Sequence, residues 1–434
     1  MHRFAALAAT GMLSLSLALP AHAATHLMRF ADIHGDKVVF TYEGDLWIAS
    51  TAGGDAQRIT RDPGTETNAK FSPDGSRIAF TASYDGGNDV YVMDARGGVP
   101  QRLTWHPSTD NVLDWFPDGR SILFRSRRNA PFNDQLYRVP VDGGTEQLLS
   151  VDRAGLTALS PDGKSIAYNR LTREFATWKR YQGGEAQSIW MGSLEKGDFH
   201  EITDWPGSNS WPMWQGDGIF FASDRQFGTM NLYRQDVRTG AVTALTQFPD
   251  YDVKYPSIGP GAIVFQYAEQ LHTIDLASPG APPRRLDITI PTDLDLMRPW
   301  YVDVTQNHGT FGLSPGGARM LLEVRGEVLT VPVGKGKGEP VNLTRSSGSR
   351  EKNPAWSPDG KWIAFLSDRS GEEEVWLASA KGDGAWKQLT RGNKGFRTQL
   401  VWSPDGKWLL FSDKFMRLNL ADATTGAIQV IAEG

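Results

Sequence analysis

Arg125-Ser-Arg-Arg128 puts three guanidiniums within four residues, directly after a short apolar run. Two neighbouring guanidiniums, Arg127 and Arg128, can grip one carboxylate through parallel N–H···O bonds, which a lysine cannot do. The plainer reading of the same residues is a solvated basic loop. Hydrolytic chemistry has less to stand on. The sequence contains no G-x-S-x-G elbow and no H-E-x-x-H zinc helix. His200-Glu201 starts like the latter, but Asp204 stands where the second histidine belongs. His26, His34, His106, His200, His272 and His308 are scattered singly, the pattern of structural histidines. Asp74, Asp118, Asp162, Asp359 and Asp405 each belong to one recurring turn phrase, so the turn accounts for them. Asp224-Arg225 and Asp368-Arg369 also recur and read as scaffold, and the Gly-Gly pairs suit hairpins rather than a phosphate cradle. These residues supply no catalytic group, metal ligand set or cofactor site.

The element that must position them is a repeat. Trp356-Ser-Pro-Asp-Gly-Lys-Trp-Ile-Ala-Phe-Leu-Ser-Asp368 reads as an aromatic strand end, a tight turn and an apolar strand. Pro358 presets φ, Asp359 can bond nearby backbone, and Gly360 can take φ > 0. The phrase recurs at Phe71–Gly75, Trp115–Gly119, Leu159–Gly163 and Trp402–Gly406, and in degraded form at Trp214–Gly218, Ser257–Gly261 and Leu313–Gly317. These eight phrases lie 43 to 56 residues apart, the period of four-stranded propeller blades. Units ending at Arg102-Leu-Thr104, Glu201-Ile-Thr203 and Ala244-Leu-Thr246 make roughly six blades before residue 290, enough to close a ring. Asp287 to Arg298 breaks the rhythm and reads as an inter-domain linker.

The expected fold is therefore all-β: a six-bladed β-propeller over residues 24–290, then an incomplete second β-propeller of about three blades over 291–434. Three blades cannot close a ring and would leave strand edges open, so the second domain is expected to be completed by something beyond this sequence. One blade carries a long insertion, Arg170 to Gly184, mixing Arg and Lys with Phe175, Trp178 and Tyr181. Such a loop either lines a channel or docks a partner, or else covers a blade edge.

Composition agrees with a turn-dense exported protein. The 434 residues include 46 Gly, 15 Trp and no Cys. A mild net charge of −5, with both signs interspersed, leaves no footprint for nucleic acid. His2-Arg3, the apolar run Phe4 to Leu19 and Ala21-His-Ala23 form a secretory leader, with cleavage expected after Ala23. The run is too short for a membrane span. The mature chain is expected in the periplasm or outside the cell.

Three stretches carry a family resemblance: Asp32-Ile-His-Gly-Asp-Lys-Val-Val-Phe-Thr-Tyr-Glu-Gly-Asp-Leu-Trp47, Thr172-Arg-Glu-Phe-Ala-Thr-Trp-Lys-Arg-Tyr181 and Tyr251-Asp-Val-Lys-Tyr-Pro-Ser257. The last two are not repeat consensus. Together they make the chain resemble the tricorn protease family over nearly all its mature length. The resemblance implies a six-bladed and a seven-bladed propeller, then serine protease domains flanking a PDZ-like domain. It also implies a hexameric assembly and cleavage of oligopeptides that the propellers filter. The family's catalytic residues lie in the later domains, so none is carried over. In the family, an arginine pair on the first propeller anchors the substrate's C-terminal carboxylate, and Arg127-Arg128 fits that pair best. Two rival readings remain at this point: a free-standing TolB-like propeller that scaffolds partner proteins, and an enzyme with a metal in its channel.

Overall fold

The computed structural model describes residues 26–291 and 302–434, apart from positions 131, 178, 227, 279, 335, 336, 347 and 385. The expected leader and residues 292–298 of the expected linker lie outside them. The described residues are strands, turns and loops, with no helix. They fall into two compact units, Met1–Met297 and Arg298–Gly434.

The turn phrase works as a hydrogen-bonded unit. The Ser72 hydroxyl donates to Asp74 Oδ1 at 2.6 Å and accepts the Arg77 N–H at 2.9 Å, while the Ser76 N–H donates to Asp74 Oδ1 at 3.0 Å. Gly75 takes φ +70°, a conformation that favours glycine. The Ser72 hydroxyl, with the donors of Ser76, holds the Asp74 carboxyl down at about 2. The same serine-to-aspartate bond, 2.6 Å each time, forms at Ser160, Ser357 and Ser403. Each turn then launches a second strand with one fully buried aromatic near its centre: Phe40, Phe80, Phe124, Tyr168, Phe221 and Phe265 in the first unit. Burying such a ring stabilises by roughly 1.5–3 kcal/mol. The Thr of the Leu-Thr and Ile-Thr endings is a latch. The hydroxyls of Thr60, Thr104, Thr203 and Thr246 accept the N–H groups of Leu46, Val90, Ile189 and Leu232 at 2.8 to 3.0 Å.

The first unit holds six four-stranded antiparallel sheets whose inner strands are Arg29–His34, Glu66–Phe71, Asp110–Trp115, Thr157–Leu159, Asn209–Gln215 and Lys254–Gly259. Each inner strand touches the next, and the sixth returns to the first. The apolar cores lie between blades. Val38, Phe40 and Trp47 of blade 1 pack with Val264 and Leu271 of blade 6, which seals the ring. A second closure comes from the start of the expected linker. Ile288–Thr289 is a strand, paired in parallel with Gly54–Asp55 of blade 1, and Ile288 and Ile290 are buried there. This is a six-bladed propeller.

In the second unit three four-stranded sheets succeed one another, with inner strands His308–Leu313, Glu351–Trp356 and Arg397–Trp402. Leu321, Ile363 and Phe365 fill the first gap between sheets, and Leu366, Leu400 and Phe411 the second. Trp402 Nε1 donates to the Ala355 carbonyl of the preceding sheet at 3.1 Å, as Trp115 donates to Lys70 at 2.9 Å in the first unit. The third inner strand makes no comparable contact with the first, so the arc is an incomplete second propeller.

Candidate functional site

The six inner strands of the first unit line a central channel. Five of them are broken by a β-bulge, at Arg29/Asp32, Thr67/Lys70, Val112/Asp114, Ser210/Met213 and Lys254/Ser257. A bulge re-aims side chains out of the regular alternation. At four of these bulges a non-glycine residue is left-handed: Phe30 (φ +50°), Asn68 (+53°), Trp211 (+58°) and Tyr255 (+50°). The same left-handed bulge residue recurs in the second unit at Asn353 (φ +50°) and Gln399 (φ +59°), so the conformation belongs to the blade; what is particular to Phe30, Trp211 and Tyr255 is that a bulky aromatic occupies it.

Phe30, Asn68, Leu113, Trp211 and Tyr255 all face the space where the strands converge. That space is only about 60 Å³, room for roughly two waters. Beside it, Lys70 Nζ lies 2.5 Å from Ser257 Oγ and 3.5 Å from Asp32, and Ser257 in turn donates to Asp32. Burial pushes the Asp114 carboxyl up to about 6 despite the nearby Lys70 ammonium. This cluster is internally paired: Lys70 donates to Ser257, and Ser257 donates to Asp32. Among the described residues no three of His, Cys, Asp or Glu converge as a metal site.

The inserted loop of blade 4 roofs one mouth of the channel. Phe175 places its ring 6.3 Å from Phe30, 6.3 Å from Tyr255 and 6.5 Å from Trp211. The loop is fastened on two sides by charge. Toward blade 3, Glu174 accepts from Arg125 and Thr172 Oγ1 donates to Asp134 at 2.7 Å; toward blade 6, Lys179 pairs with Asp252 at 2.9 Å. Beneath it lies a cleft of about 360 Å³, lined among others by Arg173, Phe175, Trp211, Asp224, Asp252 and Tyr255. Trp178, singled out in the sequence with Phe175, lies outside the described residues.

The arginine stretch sits at the root of this loop, but its members differ. Arg128 is 9% exposed; it donates to the fully buried Asp110, lies 3.2 Å from Glu146, and covers the rings of Phe124 and Tyr137. Arg225 does the same over Phe221 and Tyr233 while donating to Asn209, and Arg369 covers Trp386. Arg128 thus occupies the arginine position of the Asp-Arg repeat, a likeness hidden in the sequence because Arg127 replaces the repeat's Asp. Arg127 is 51% exposed, with Nε on Asp134 at 2.9 Å. Arg125 is buried, and its Nε and Nη1 have no hydrogen-bond partner among the described residues. His200-Glu201 is an outer strand, far from helical zinc geometry.

Phe30, Trp211 and Tyr255 were not apparent as site residues from sequence. A signal existed: Trp211-Pro212 and Tyr255-Pro256 put an aromatic before a proline within an inner strand, and proline inside a strand marks a bulge or an edge.

A family model described as the tricorn protease N-terminal beta propeller domain matches residues 25–280. The chain belongs to the tricorn protease family. It is 29% identical over 363 residues to tricorn protease homolog 1 of Streptomyces coelicolor, covering 82% of this chain and 34% of that protein. It is 28% identical over 357 residues to the tricorn protease homolog of Saccharolobus solfataricus, covering 80% and 33%. The chain therefore spans about a third of the length of these relatives. The crystal structure of the tricorn protease superposes with a TM-score of 0.64 at 21% identity, over 94% of this chain and 40% of that one, a likeness of fold.

Proposed function

We propose that this chain is the non-catalytic propeller region of an exported tricorn-type serine peptidase that degrades oligopeptides. In this role the first propeller, residues 24–290, receives a peptide on its loop-bearing face, and the Arg127-Arg128 step takes the C-terminal carboxylate. Arg127 offers the exposed donors; Arg128 is the buried brace beneath it. Residues 291–434 supply part of a seven-bladed second propeller, with the remaining blades and the serine protease domains supplied by the rest of the polypeptide, in a homo-hexamer. The leader ending at Ala23 directs the protein to the periplasm or the exterior.

One observation supports this reading most. Arg127, half-exposed and held through Nε alone among the described residues, shares Asp134 with Thr172 of the loop that roofs the channel mouth. Its remaining guanidinium donors are free for a bidentate partner. The tightness of the bore argues for a peptide held at the mouth rather than threaded through this conformation.

Calorimetric titration of the full chain with one hexapeptide, as free acid and as C-terminal amide, tests it. A hydrogen bond to a charged group contributes about 1.5–3 kcal/mol, so the acid should bind roughly 10- to 100-fold tighter. Arg127→Ala should erase that difference while leaving the melting temperature unchanged. Equal affinity for acid and amide in the unmodified chain would overturn the anchor.

A further inference from the structure

Phe175 stands apart from the loop that carries it. Thr172, Arg173, Glu174, Lys179 and Arg180 of that loop are polar, and ion pairs hold the loop in place. Phe175 meets the rings of Phe30, Trp211 and Tyr255 near the outer limit of aromatic contact, and stays 59% exposed. The platform beneath it is built far more tightly. Phe30 and Tyr255 lie 4.5 Å apart and Trp211 stands edge-on to Tyr255 at 5.5 Å. All three rings are aimed there by left-handed backbone, from three different blades. Trp211 and Tyr255 line a cleft of about 360 Å³, within the range of small-ligand sites, and Phe30 lies against Tyr255 beside it.

We infer that Phe30, Trp211 and Tyr255 form a subsite for an aromatic or large aliphatic side chain of a bound peptide, and that Phe175 occupies it as a resident stand-in until the ligand displaces it. The ligand class rests on the peptide-binding reading above; the subsite rests on the ring geometry. Apolar contact with the platform favours the incoming side chain. The ion pairs at both ends of the loop, Arg125 to Glu174 and Lys179 to Asp252, keep the loop attached while Phe175 swings out. A ligand that must evict an occupant binds more weakly by the fraction of time the subsite is vacant. Removing the occupant should therefore tighten binding, whereas deleting a contact residue would weaken it.

The test uses the full chain and free-acid hexapeptides of alanine carrying one phenylalanine, leucine or lysine at a fixed position, titrated by calorimetry. Unmodified protein should prefer Phe over Leu, and both over Lys and all-Ala. Phe175→Ala should tighten the Phe peptide by about 3- to 10-fold, if the subsite is vacant a tenth to a third of the time, and leave the all-Ala peptide unchanged. Phe175→Leu should fall between. Phe175 is surface-borne, so these variants keep the fold, and unchanged melting curves verify it. Tighter binding confined to the Phe and Leu peptides establishes the subsite. If hexapeptides bind but Phe175→Ala weakens or does not change the Phe peptide, the subsite is wrong and the peptide-binding reading survives. If no hexapeptide binds either protein, both fall together.

Discussion

Arg128→Met separates brace from anchor. Methionine keeps an unbranched apolar side chain over Phe124 and Tyr137 and removes the charge. Asp110, with no exposure, then loses its guanidinium partner. Breaking a buried ion pair from one side costs about 3–5 kcal/mol, and the lost cation–π contact adds about 1 kcal/mol at most for a partly screened site. Burial already raises the Asp110 carboxyl above its ordinary value, with Arg128 among the groups opposing the rise. Without Arg128 it rises further, so the variant can relieve its buried charge by taking up a proton. The loss should therefore be largest above the raised native value, at pH 8, and smaller near pH 5. Urea unfolding of the parent and the variant at both pH values, followed by tryptophan fluorescence and circular dichroism, measures this. Arg127→Ala is the control: Arg127 is half-exposed, and its pair with Asp134 should be worth under about 1 kcal/mol. If Arg128→Met costs less than about 1 kcal/mol at pH 8 and instead abolishes peptide binding, the buried-brace reasoning is refuted.

Glu66, fully buried at the start of blade 2, should make stability pH-dependent. Burial pushes its carboxyl up to about 7 from 4.5, against the opposing influence of the nearby Tyr84 hydroxyl and the bond from Thr60. The native state keeps this proton longer than the unfolded chain, so stability falls as pH rises from about 4.5 to about 7, by at most about 3 kcal/mol; Glu66→Gln should flatten that slope in urea titrations. Gly53→Ala tests ring closure: an added Cβ would meet the Asp287 carbonyl oxygen at 2.7 Å, at a residue with φ +93°. A loss of about 1–3 kcal/mol is expected, read as earlier proteolysis of the Ile288–Thr289 closing strand.

The blades were legible because each is written in local chemistry. Ser-Pro-Asp-Gly dictates a turn through contacts within five residues, and the aromatic that comes after it fills the next gap between blades wherever it recurs. Counting five of those phrases plus the phrase-free opening unit, Ile33 to Thr60, gave six sheets, and three further phrases gave three more. The channel mouth was not legible in the same way. Phe30, Trp211 and Tyr255 come from three blades and meet only because the ring closes and because bulges turn them inward, a long-range outcome that periodicity does not encode. Arg128 looked singular because its neighbour Arg127 interrupts the Asp-Arg repeat; the shared stacking of Arg128, Arg225 and Arg369 over ring pairs or a tryptophan emerges only in three dimensions. The strand role of Ile288–Thr289 was missed for a related reason: its partner, Gly54–Asp55, lies more than two hundred residues earlier.

The most direct check is a crystal structure of the full chain soaked with a free-acid, phenylalanine-containing hexapeptide. The ligand should lie on the loop-bearing face of the first propeller, its terminal carboxylate within hydrogen-bond distance of the Arg127 guanidinium. Peptide found instead on the face of the Ser-Pro-Asp-Gly turns, or with its carboxylate turned to solvent, would contradict the account.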